Sequence, residues 1–184
     1  MSLPKDINHK FNELDFMLKN RDKQSIKMDA HGGYSILFVY PPCEEKKYLE
    51  RIEKSYPDAH FIDVAKEFVS YIDSIGSDNF MEIYQDYSSE PEKLFKSEFN
   101  ENDLYKRLLK EIEKAGASNK IPILVRTGAL YGTGIENVSI MDSKVVQNLP
   151  IPLVIMYPAT LSKDNKLKFL NFKLASDYRA TVIY

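Results

Sequence analysis

The chain has 184 residues, 43% apolar and 28% charged, with 25 basic and 27 acidic side chains for a net charge of −2. That length fits one domain with a sizeable core, and the composition is that of an ordinary globular protein rather than a disordered one. A negative balance without a basic run gives no electrostatic footprint for nucleic acid. No stretch reaches the ~18 apolar residues of a membrane helix, the first residues carry no apolar signal core, and Cys43, the single cysteine, fits a reducing compartment, so a cytoplasmic location is expected.

In chain order, Ile7, Phe11, Leu14 and Leu18 recur at helical spacing. Residues 1–30 are therefore expected to form a helical segment packed on a single α/β domain of residues 31–184. His31-Gly32-Gly33 punctuates the chain, and residues 34–40 read as a buried strand stopped by Pro41 and Pro42, which cannot donate to a ladder. Residues 44–55 read as a helix, residues 59–63 as a short strand, and Val64, Phe68, Tyr71, Ile72 and Ile75 mark the next helix. Strand and helix in alternation predict a parallel sheet. Residues 78–103 hold eight acidic and two basic side chains, a solvated face or a surface that orients a partner.

Leu104, Leu108, Ile112 and Ala115 predict a helix with Asn100 as N-cap and Gly116 as its stop, leading to a strand at 121–125. Ser139 with Asp142 three residues on resembles a capping box and predicts a helix over 139–148. Residues 153–157 read as a buried strand, residues 166–172 as a half-exposed edge strand, and residues 179–184 as the last strand. The expected fold is a three-layer α/β unit, a mostly parallel sheet flanked by helices with antiparallel strands at its C-terminal edge.

The segment Val125-Arg126-Thr127-Gly128-Ala129-Leu130-Tyr131-Gly132-Thr133-Gly134 empties an apolar strand into a loop holding three of the seven glycines. Strand ends of this kind are where α/β sheets form sites. A phosphate-binding P-loop needs Lys and Ser or Thr directly after its last glycine, and here Ile135 and Glu136 follow. The glycines Gly128, Gly132 and Gly134 also suit positive φ in a tight loop. In a parallel sheet, Tyr40-Pro41-Pro42-Cys43, Arg126-Thr127-Gly128 and Tyr157-Pro158-Ala159-Thr160 line one crevice. Arg126 there either holds an anion with its planar fork or pairs with an acidic residue at the rim.

Cys43 as a nucleophile needs a base. Of the three histidines, His31 and His60 fall at the wrong ends of their strands, and no spacing suggests a metal site. Neither a cofactor nor a metal is expected. Twelve tyrosines suit either an interface or a core.

Residues Pro152-Leu153-Val154-Ile155-Met156-Tyr157-Pro158-Ala159-Thr160, then Leu167 to Phe172, then Asp177-Tyr178-Arg179-Ala180, resemble the end of the BrxB family of bacteriophage-exclusion (BREX) defence systems. Ile36 to Pro42 and Leu124 to Tyr131 resemble that family's first strand and its Thr-Gly loop. The chain departs from the family pattern at Ala159, where glycine is usual, and over Gly132-Thr133-Gly134-Ile135-Glu136-Asn137.

The resemblance implies a P-loop-NTPase-like fold lacking a Walker A loop, in a non-catalytic adaptor of a multiprotein phage-defence complex. Partners would be a large ATPase and an alkaline-phosphatase-like protein of the same system. The candidate contacts are Tyr40, Arg126, Thr127, Gly128, Tyr157 and Arg179, of which Arg179 has the alternative of finishing the sheet. The competing classes are a small-molecule or nucleotide/anion sensor using the crevice and a hydrolase resting on Cys43.

Overall fold

The computed structural model describes residues 6–98, 100–162, 164, 166–175 and 179–184. Helices α1 (Ile7–Asn20) and α2 (Lys23–Asp29) lead into β1 (Ser35–Tyr40), and α3 (Glu45–Ser55) precedes β2 (His60–Asp63). Four helices, α4 (Val64–Ile75), α5 (Ser77–Asp86), α6 (Glu92–Phe95) and α7 (Leu104–Ala117), come before β3 (Pro122–Val125). The short α8 (Asn137–Met141) and α9 (Lys144–Asn148) precede β4 (Leu153–Leu161), followed by β5 (Leu167–Phe169), β6 (Lys173–Leu174) and β7 (Thr181–Ile183).

Five strands lie side by side in the order β2-β3-β4-β1-β7, every neighbouring pair parallel. The long β4 runs past this sheet, and its last residues pair antiparallel with β5, which pairs with β6. The architecture is the expected mixed α/β one, a mostly parallel sheet flanked by helices with an antiparallel extension. The last strand joins the parallel set beside β1.

Side-chain parity explains the layers. From β1, Ile36, Phe38 and Tyr40 join a core with Phe11, Leu14 and Met17 of α1 and Tyr48, Leu49 and Ile52 of α3. Leu37 and Val39 point to the other face, where Leu104, Leu108 and Ile112 of α7 and Tyr71 of α4 gather. Covered on both faces, all six residues of β1 are buried, which is why the strand reads as a continuous apolar run instead of alternating. Tyr34, Tyr40, Tyr48, Tyr71 and Tyr157 are buried, whereas Tyr87, Tyr131 and Tyr184 are exposed, so the tyrosines serve core and surface alike.

Several boundaries differ from the sequence reading. The cap of α7 is Asp103, not Asn100: one carboxylate oxygen accepts from the Lys106 amide at 2.7 Å and the other from the Ser97 amide at 2.8 Å. Asn100 instead accepts from the Asn102 amide, the local turn that asparagine side chains favour. Gly116 lies inside α7, where a Cβ would stand 2.7 Å from a Leu149 methyl. Residues 139–148 form two helices because the Ser143 hydroxyl accepts from the Val146 amide and starts α9 afresh. The strand expected over 166–172 stops at Phe169, as Leu170 and Asn171 take φ of 50° and 69°. Asp177 and Tyr178 lie outside the described residues.

At Gly33 the backbone of the chain before β7 comes so close that an added Cβ would lie 1.7 Å from the Arg179 carbonyl oxygen. Gly33→Ala is expected to lower unfolding free energy in urea by about 1–3 kcal/mol. Gly32, with φ of +93° and open space around it, is expected to lose only about 1 kcal/mol on the same change.

Candidate functional site

Because β1, β3 and β4 are parallel, their C-terminal ends share one rim of the sheet. Tyr40, Arg126, Thr127, Gly128 and Tyr157 all lie there. Arg179 does not: it precedes β7 and sits beside Gly33 at the opposite rim, with its guanidinium 4.0 Å from Asp142. The sheet also divides the rim residues. Tyr40 belongs to the core on the α1 and α3 side and Tyr157 to the core on the other.

The polar groups of this rim engage one another. The Tyr40 hydroxyl donates to Glu45 Oε1 at 2.7 Å, and its ring stacks on Tyr48 at 5.3 Å. Burial, then the hydrogen bond to Glu45, hold the phenol well above its ordinary value. Arg126 takes left-handed φ of 54° directly after β3, and its guanidinium pairs with Asp63 at the end of β2. Asp63 also accepts from the Lys66 amide at 3.2 Å and so caps α4. Of the two readings of Arg126, the structure brings the acidic partner. Thr127 is fully buried and donates to the Met156 carbonyl at 2.8 Å.

The glycine loop is closed by its own bonds. The amides of Ala129, Tyr131 and Thr133 donate to the carbonyls of Arg126, Gly128 and Leu130. The Thr133 hydroxyl donates to Leu130 and accepts from the Ile135 amide. Amides used this way do not converge on a phosphate as those of a P-loop do. Gly132 and Gly134 take the expected positive φ, 85° and 75°, but Gly128 does not. Its constraint is spatial, since a Cβ there would stand 3.3 Å from a Leu170 methyl.

Between this loop and the antiparallel extension lies a cleft of about 540 Å³, walled by Glu92, Tyr131, Ile135, Asn137, Phe169 and Lys173 among others. Tyr157 and Phe169 stack at 4.9 Å in its floor, and Lys173 bridges to Glu136 at 3.1 Å on its edge. Cys43 is exposed in a 3₁₀ turn at Pro42–Glu44. His60 starts β2 at the far rim and contacts Glu111 at 3.2 Å. Among the described residues, no group of three His, Cys, Asp or Glu side chains is placed to hold a metal ion.

Three residues the sequence reading passed over shape the rim. Lys10 is buried and donates to the Val39 carbonyl at 2.9 Å, a role signalled by its sharing a helix face with Ile7, Leu14 and Met17. Asp63 was legible as a strand-end residue opening a helix. Asn137 gave no signal, since a polar residue beside a glycine loop reads as surface. No family model matches the chain, and no curated protein or solved structure matches it either.

Asp63, 12% exposed, anchors two elements, whereas Arg126 is 45% exposed and holds an unfavourable φ. Asp63→Ala is therefore expected to lower stability by about 1–2 kcal/mol, chiefly through the lost cap. Arg126→Gly, which relieves the left-handed strain of roughly 1 kcal/mol and gives up only a solvent-screened pair, is expected to match the parent in denaturant midpoint.

The Tyr40 phenol carries its proton more tightly folded than unfolded, relative to an ordinary value of 10.0. Its contribution is complete below that value and declines as pH rises above it. Tyr40→Phe is expected to reduce stability by about 0.5–1.5 kcal/mol at neutral pH and to flatten the alkaline decline in urea midpoints.

Proposed function

We propose that this chain is a non-catalytic adaptor that works by binding other proteins within a cytoplasmic, BREX-like phage-defence complex. The observation that carries the reading is an apolar cluster on the antiparallel extension. Phe172 and Leu174 are each 58% exposed, Tyr131 is 54% exposed and meets Phe172 edge-on at 5.1 Å, and Leu161 is exposed at the end of β4. Solvent-facing aromatics grouped in this way mark protein interfaces more than free surface.

The charge around the cluster indicates the kind of partner. Lys168 and Lys173 lie on β5 and β6 themselves, with Lys166 directly before β5. A partner with an acidic face around an apolar centre suits this surface, and complementary charge also speeds its encounter. The likeness to the BrxB family, resting on the sequence segments quoted above, supplies the partner candidates: a large ATPase and an alkaline-phosphatase-like protein of the same system. The rim residues Tyr40, Arg126 and Thr127 are each already engaged by a neighbour within the fold.

Affinity capture of the tagged chain from its native cells, with mass spectrometry of what is retained, tests the reading. Recovery of an ATPase or phosphatase-like protein is expected, with at least about a tenfold loss for the doubly substituted Phe172→Ser, Leu174→Ser chain. Both positions are solvent-facing, so the variant's melting temperature should stay near the parent's. Capture that is unaffected by the double change would remove the cluster as the interface, and capture of neither protein would count against the adaptor.

A further inference from the structure

Among the described residues, the buried polar side-chain atoms without a hydrogen-bond partner are the hydroxyls of Ser35 and Thr181, on adjacent strands, and the amide oxygen of Asn137. Asn137 lines the cleft beside the glycine loop. The residue is only 5% exposed, and a buried amide oxygen left unpaired is destabilising unless something completes it. We propose that the cleft between the glycine loop and β5–β6 binds an uncharged nucleobase or nucleoside, read by the Asn137 carboxamide. This inference does not rest on the adaptor reading.

Size, shape and charge agree on the class of ligand. A volume of about 540 Å³ lies in the range of small-molecule sites, which is roughly 300–1,000 Å³. A carboxamide presents a donor and an acceptor side by side, the arrangement that pairs with the edge of a base. The lining is largely apolar, as a flat ring requires: the 54% exposed Tyr131 ring stands at the mouth, and the otherwise buried Tyr157, Phe169 and Ile135 line the inside.

A phosphate is disfavoured. Glu92 and Glu136 stand on the wall with Lys173, which Glu136 already engages, and the amides of Ala129, Tyr131, Thr133 and Ile135 are taken up within the loop. The absence of Lys and Ser or Thr after Gly134 is consistent with a site that takes the base and leaves phosphate out. The nucleotide or anion sensor considered from the sequence thus narrows to a neutral ligand.

Titration calorimetry and thermal melting of the full chain with adenosine, guanosine, cytidine and uridine test the proposal. Saturable binding of at least one nucleoside is expected, with a concentration-dependent rise in melting temperature. The 5′-monophosphate of that nucleoside is expected to bind more weakly. Asn137→Ala should weaken binding at least about tenfold while still melting cooperatively. If Asn137→Ala fails to fold, Tyr131→Ala at the half-exposed mouth decides, with a severalfold loss expected. The proposal is overturned if no nucleoside binds, if the monophosphate binds more tightly, or if the variant that folds binds as the parent does. Capture of protein partners by the Phe172 and Leu174 variant reads the adaptor separately, so either idea can fail alone.

Discussion

Everything at the rim depends on the parallel pairing of β1 with β4, six residue pairs in register from Ser35 with Leu153 to Tyr40 with Pro158. Both strands are buried on two faces along this stretch, so neither can slip by one residue without exchanging the contents of the two cores. That register places Tyr40 level with Pro158 and Tyr157 level with Val39. Two tyrosines one register step apart on neighbouring strands consequently enter opposite cores. The same pairing lets β4 run past the sheet and carry the antiparallel extension, on which both the exposed cluster and one wall of the cleft are built.

The rim is held by short-range polar contacts that leave few groups free. Asp63 links the end of β2, the start of α4 and the backbone strain at Arg126, while Thr127 ties the start of the glycine loop to β4. A half-exposed ion pair adds little by itself. Its value here is positional, because the pair fixes where the chain leaves β3 and therefore where the glycine loop begins. The loop then needs no ligand to keep its shape, as Thr133 bonds to both sides of the turn. Gly134 lets it close against α6, where a Cβ would come within 2.4 Å of the Glu92 Cβ.

The layered architecture was legible because it rests on long, unambiguous patterns: the apolar run before Pro41, the spacing of Ile7, Phe11 and Leu14, and the spacing of Leu104, Leu108 and Ile112. Local competition between caps was less legible. Asn100 and Asp103 are both good cap residues, and the choice fell to the one whose second oxygen could also reach the Ser97 amide in a buried site. Ser139 falls inside α8, and the second helix is capped by Ser143 instead. The opposed faces of Tyr40 and Tyr157 follow from strand register, which no single strand encodes, and the same is true of the contact between Arg179 and Gly33. Arg126 in a left-handed conformation lay beyond propensity as well, since glycine is the usual choice there.

The unpaired amide oxygen of Asn137 stands out against this background. Other polar groups of the rim find local partners, among them the amides of Ala129, Tyr131 and Thr133 and the buried hydroxyls of Thr127 and Thr133. A sequence consistent at every level would place an apolar residue at position 137, the first residue of α8 and two past the buried Ile135. Leaving a buried amide unsatisfied costs about 1–3 kcal/mol, a sizeable share of the stability of a domain this size. Departures of that kind concentrate where binding, rather than folding, sets the residue. The carboxamide also adjoins a cleft with aromatic walls, whereas Ser35 and Thr181 lie within strands. Position and chemistry together make Asn137 the part of this rim that the fold alone does not account for.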